Sequence, residues 1–130
     1  LQNPLQCDFD TQADLDTVLE AERGELQRRA QAYRGGRSPQ DIRGRPVIVV
    51  DDGIATGATM RAALTAVRSL DPGWLVAAAP MSCAGADAIT AAADDVVIPW
   101  PDSSLPAVGS AYRRFGQTSE DEVRSLLGIT

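Results

Sequence analysis

Lysine and histidine are both missing: the 12 basic residues of this 130-residue chain are all arginines. That excludes a Schiff-base lysine, a lysine phosphate clamp and the commonest general base. Cysteine is scarce. Cys7 and Cys83 lie far apart at no metal-ligand spacing, which predicts two free thiols in a reducing compartment. Aromatics make up only 5%, so the core must come from Val, Leu, Ile and Ala. No apolar run approaches the roughly 18 residues of a membrane helix, and no charged-then-apolar leader opens the sequence. The expected location is therefore the cytoplasm, without a membrane partner. Positive charge is outweighed, with a formal net charge of −6. Phosphate backbones are held mainly by Lys and Arg, so nucleic acid is an unsuitable partner. A small phosphorylated ligand stays compatible, because backbone amides and a divalent cation can hold it without net positive charge.

What is present reads as an ordinary globular chain, 44% hydrophobic and 23% charged. The length suits one domain over 1–130. Leu1 to Asp10 has no periodicity and does not begin with Met, which is the expectation for a chain entered partway. Leu15, Val18, Leu19 and Leu26 fall near helical spacing, predicting an amphipathic helix over 11–34 that ends at Gly35-Gly36. Glu20, Glu22 and Glu25 belong to its exposed face. A Gly-, Pro- and Arg-rich connector follows over 35–46, and Arg34, Arg37, Arg43 and Arg45 read as solvated in preference to the alternative, contact with a diphosphate.

From residue 47 the pattern changes to an α/β core that runs to residue 130. Val47 to Val50 is a β-branched run, predicting a strand buried on both faces. Met60 to Leu70 predicts a helix and Leu75 to Ala79 a second strand. Ser82 is placed to cap an Ala-rich helix reaching Ala93, and Asp95 to Pro99 holds a third strand. Ala107 to Phe115 predicts another helix, and Ser119-Glu120-Asp121-Glu122 a capping box that opens the last one. Strands alternating with helices mean an α/β fold, a parallel sheet with flanking helices. With three strands in view, the sheet is expected to be incomplete towards its N-terminal side.

The chemistry concentrates in Val47-Ile48-Val49-Val50-Asp51-Asp52-Gly53-Ile54-Ala55-Thr56-Gly57-Ala58-Thr59. A strand ends in two carboxylates, and a turn of small residues then leads into a helix N-terminus. Such a terminus offers unpaired N–H groups to an anion. Gly53, Ala55, Gly57 and Ala58 permit close backbone approach, and Thr56 and Thr59 add hydroxyls. Two carboxylates would repel a phosphate but would accept hydrogen bonds from vicinal sugar hydroxyls, or bind a metal that bridges them. A phosphorylated pentose fits this arrangement best. A P-loop is excluded by the missing lysine, and Gly53 and Gly57 are spaced wrongly for a dinucleotide fingerprint.

These residues resemble the 5-phosphoribosyl-1-diphosphate (PRPP) motif of type I phosphoribosyltransferases. Further matches at Ala79-Pro80, Ala107 to Tyr112 and Phe115 to Val123 resemble a bacterial group of that family with unassigned substrates. The resemblance implies the phosphoribosyltransferase fold, with PRPP and a nitrogenous acceptor as small-molecule partners and pyrophosphate as a product. It implies that Asp51 and Asp52 bind the ribose hydroxyls and, indirectly, magnesium. Ala55, Thr56, Gly57, Ala58 and Thr59 would hold the 5-phosphate. Ala55 stands where purine-salvage members carry an Asp, which argues against a close hypoxanthine/guanine enzyme. Relatives also have an upstream Leu-Pro-Arg-Gly-Gly-like pyrophosphate loop that is not in this sequence. The resemblance assigns no catalytic residue, and without the pyrophosphate loop this chain alone is expected to bind the donor through its phosphate and ribose yet react poorly. A non-catalytic PRPP or nucleotide sensor, or a remnant that acts with a partner, is the alternative. A homodimer is common among relatives. Trp100, Tyr112 and Phe115 fall near where relatives seat the acceptor, although packing is the simpler role for them. Met60 and Met81 read as core fillers, and Asp94 and Asp95 as strand boundaries.

Overall fold

A computed structural model describes residues 12–85 and 87–129. Along the chain the elements are α1 (Gln12–Arg34), β1 (Pro46–Val50), α2 (Ala58–Arg68), β2 (Trp74–Ala78), β3 (Met81–Ser82), α3 (Asp87–Thr90), β4 (Asp95–Val97), β5 (Trp100–Pro101), a 3₁₀ turn (Val108–Ala111) and α4 (Glu120–Leu126). They divide between two compact units, Leu1–Pro39 with Gln117–Thr130, and Gln40–Gly116. Cys7 and Thr11 lie outside the described residues. Among the described residues no helix is long and apolar enough to cross a membrane.

The larger unit is an α/β layer. β1, β2 and β4 form a parallel sheet in the order β1-β2-β4, with Val47 opposite Leu75 and Ala77 opposite Val96. Leu64, Leu75, Ala77, Ile54, Met60 and Ile89 are buried together, and Val47, Val49 and Val96 pack against them. This is one face of the sheet, the face turned to α2 and α3. The expectation that Val47 to Val50 is buried on both faces is corrected here. Ile48 is 63% and Val50 71% exposed, because side chains alternate across the sheet and these two lie on the face away from the buried core. Met60 and Met81 do fill the core.

Other boundaries shift for local reasons. The helix expected from Ser82 to Ala93 shrinks to the single turn of α3, since Ser82 belongs to β3 instead. Its buried hydroxyl shares its proton between the carbonyls of Ile54, at 3.3 Å, and Gly85, at 3.0 Å, and accepts from Ala84 N–H at 3.2 Å. The helix expected over Ala107 to Phe115 is one 3₁₀ turn. A second parallel pair, Met81 opposite Trp100 and Ser82 opposite Pro101, adds to the expected topology.

Asp94 and Arg68 close the far end of the layer. The Asp94 carboxylate accepts both Arg68 guanidinium nitrogens at 3.0 Å and Leu75 N–H at 2.7 Å. Arg68 first, then the Leu75 amide, hold its pKa below the ordinary 3.8. A lowered pKa means that the contribution to stability is present above about pH 4 and is lost as acid protonates the folded carboxylate. Asp94→Asn should lower the melting temperature by several degrees at pH 7 and flatten the dependence of melting temperature on pH below 4. An unchanged melting temperature at pH 7 would rule out this role.

In the smaller unit, α1 forms over nearly the expected span, yet Val18, Leu19 and Leu26 remain exposed. Glu25 accepts from Arg28 at 2.8 Å and Arg29 at 2.7 Å, and Arg28 also pairs with Glu120 of α4. The two arginines draw the Glu25 pKa down to about 2. α4 opens as expected, Ser119 Oγ accepting the Glu122 N–H at 3.3 Å.

Candidate functional site

The turn between β1 and α2 starts as a continuation of the sheet. Asp51 N–H donates to Ala78 O at 3.1 Å, one step beyond the last β1–β2 pair. The Asp51 carboxylate then accepts the Asp52 N–H at 2.9 Å, which orients the first acid along the chain. Asp52 is exposed, and its backbone carbonyl accepts the Tyr112 hydroxyl.

Gly53 is required by packing. A Cβ there would stand 2.4 Å from Val108 Cγ1 and 3.0 Å from Met81 Sδ, so no larger residue fits without displacing them. Ile54 is only 2% exposed and anchors the turn from beneath. Its N–H donates to Met81 O at 3.1 Å, and its carbonyl accepts Cys83 N–H at 2.8 Å. One apolar residue thus ties a surface turn to the edge of β3. The residues after it are free to face outwards.

Ala55 and Thr56 are exposed, and Gly57 adopts φ 77°, ψ 0° as the residue before α2. This is left-handed backbone, which glycine alone enters without steric cost. α2 has no side-chain cap and no acidic residue in its first turn. The nearest substitute is Thr56 Oγ1, reached by Ala58 N–H at a long 3.4 Å. The N–H groups of Ala55, Thr56 and Gly57 reach no acceptor among the described residues. A helix start with free amides and no acidic side chain in its first turn carries partial positive charge.

These groups surround a cavity of about 110 Å³ lined by Asp51 and by Gly53 through Met60. Clefts that enclose a whole ligand run to roughly 300–1,000 Å³, so this hollow has room for one phosphate-sized group. Of the residues singled out in the sequence, Ala55, Thr56, Gly57, Ala58, Thr59 and Asp51 all line it. Asp52 does not. It stands beside the hollow, on the side of Tyr112.

Among the described residues no three His, Cys, Asp or Glu side chains gather at one place. A divalent cation here would have the two neighbouring acids at most, with its remaining positions filled by water or ligand oxygens. Magnesium commonly binds in that manner, so the donor set fits it.

The segment after β5 is tied to this neighbourhood in the sequence by the family resemblance alone, which gives no contact with the turn. Tyr112 and Phe115 pair with ring centroids 5.2 Å apart, and Phe115 lies over Gly109, where a Cβ would come within 3.0 Å of its ring. Trp100 and Phe115 stay about half exposed. The four small residues Ala107, Gly109, Ser110 and Ala111 are the available signal, and they carry no periodicity that would place them against Gly53.

Comparison with known proteins gives a consistent answer. Residues 10–101 match the phosphoribosyl transferase domain model. Two Mycobacterium tuberculosis proteins, from different strains and named as candidate phosphoribosyl transferases, are each 43% identical over 119 residues. The match covers 88% of this chain and 26% of theirs, so the chain spans about a quarter of the length of the curated relatives it matches. The crystal structure of TT1426 from Thermus thermophilus superposes with a TM-score of 0.76 at 33% identity, covering 98% of this chain and 61% of that one.

Proposed function

The chain belongs to the phosphoribosyl transferase domain family, and on that premise we propose that it binds PRPP through the turn after β1. In the whole protein it would serve transfer of the 5-phosphoribosyl group to a nitrogenous acceptor, with release of pyrophosphate. The observation that carries this reading is the uncapped start of α2, whose free amides open on a phosphate-sized hollow beside Asp51.

The assignment of groups follows from charge. Ala55 through Thr59 supply amides and hydroxyls, which suit the 5-phosphate. The Asp51 and Asp52 carboxylates supply acceptors, which suit the 2- and 3-hydroxyls of the ribose. Reversing the two would put carboxylates against phosphate oxygens. Between them the two sets would fix the pentose at both ends and leave C1 facing away from the cradle.

Asp51 and Asp52 would also hold magnesium, through water or through the ribose hydroxyls. Bound there, the ion would offset negative charge on the diphosphate of the donor. This chain's own contribution is to hold the sugar phosphate still, so that the acceptor meets C1 in one orientation.

Pyrophosphate release, assayed with PRPP and magnesium across purines, pyrimidines and small nitrogenous acids, tests transfer. Release with one acceptor class supports it. PRPP binding with no release for any acceptor would favour a sensor, and no binding at all would dismiss both.

A further inference from the structure

The turn that carries the acids is held from outside by a segment about 60 residues later, and that clamp has a specific point of contact. Val108 fills the space in front of Gly53, leaving no room for a Cβ. Phe115 closes over Gly109 and pairs with the Tyr112 ring. Tyr112 then reaches back, and its hydroxyl donates to the Asp52 backbone carbonyl. The contacts form a circuit: Gly53 to Val108, along the 3₁₀ turn to Tyr112, and back to Asp52.

The peptide that follows Asp52 is therefore fixed on both sides, by packing at Gly53 and by a hydrogen bond at the Asp52 carbonyl. Asp52 has an exposed side chain, and its carboxylate has no hydrogen-bond or ion-pair partner among the described residues. Nothing around the carboxylate itself sets its direction. Its aim depends on the backbone that carries it.

We propose that Tyr112 is a positioning residue for Asp52, acting through the backbone carbonyl to aim the carboxylate at the sugar. The inference rests on the reading of Asp51 and Asp52 as ribose contacts, and it adds a residue that the motif from 47 to 59 does not contain. Tyr112 is not among the residues that line the phosphate hollow. Its removal should then weaken the recognition of hydroxyls and leave that of phosphate intact.

Tyr112→Phe keeps the ring and its contact with Phe115, and deletes only the donor. The full chain is titrated with ribose 5-phosphate and, separately, with inorganic phosphate, following the amide resonances of Thr56, Gly57 and Thr59. The wild type should bind ribose 5-phosphate more tightly than phosphate. In Tyr112→Phe, ribose 5-phosphate affinity should fall roughly 2- to 10-fold, the range for losing one partly solvated hydrogen bond, while the phosphate affinity stays the same. Equal ribose 5-phosphate affinity in the two proteins would overturn the inference, as would a loss shared equally by both ligands. The second outcome is the mark of a merely structural role. Failure of the wild type to prefer ribose 5-phosphate would instead dismiss the ribose reading of the acids, and the positioning role with it.

Discussion

Asp51→Asn/Asp52→Asn should lose on the order of 100-fold or more in PRPP affinity, measured by isothermal titration with magnesium, and should keep its fold. The size follows from hydrogen bonds to charged groups, each worth roughly 1.5–3 kcal/mol, with about 1.4 kcal/mol per tenfold in affinity. The fold should survive because neither side chain is in the core. Among the described residues the Asp51 carboxylate accepts the Asp52 N–H alone, and an Asn carbonyl can accept it equally well. The sign of the change is informative. PRPP is highly anionic, so removing two negative charges that merely stood nearby would strengthen binding. A loss therefore requires that the acids make direct or metal-bridged contact. Equal heats in wild type and variant would remove the site assignment.

Gly57→Ala should produce the largest combined effect on stability and phosphate binding. The residue sits at φ 77°, where an L side chain costs roughly 1–2 kcal/mol. Its Cβ would also stand at the uncapped start of α2, beside the amides that line the hollow. The melting temperature should drop by several degrees and inorganic phosphate affinity by about tenfold or more. Gly57→Asn separates the two effects, because Asn tolerates left-handed backbone better than Ala. It should regain much of the stability but not the phosphate affinity. Recovery of both would mean that the hollow plays no part in binding.

How much of this is legible in the sequence varies with the range of the interaction. Val47 to Val50 announces a strand because β-branched residues repeat without interruption. Asp51 to Thr59 announces the site because all its groups are contiguous and their chemistry is complementary. Both signals are local. Which face of β1 is covered is not local, since a strand with helices against one face has the same uninterrupted apolar run as one covered on both. The exposure of Ile48 and Val50 escapes the sequence for that reason.

The two-residue strands β3 and β5 are too short to show a period of two. Ser82 resembles a cap because Ser favours helix starts. In the folded chain its hydroxyl meets the Ile54 carbonyl, 28 residues away, and tertiary contact overrides local preference. Tyr112 is the extreme case. Its partner is a backbone carbonyl 60 residues earlier, and a carbonyl leaves no trace in the identity of the residue that bears it.

Whether the turn after β1 receives a sugar phosphate is best tested by mapping amide resonances while PRPP and magnesium are added to the full chain. The largest and saturable shifts should fall on Ala55 through Thr59, followed by Asp51 and Asp52, with Tyr112 moving less. Saturable shifts centred elsewhere, or none at all at millimolar PRPP, would contradict it.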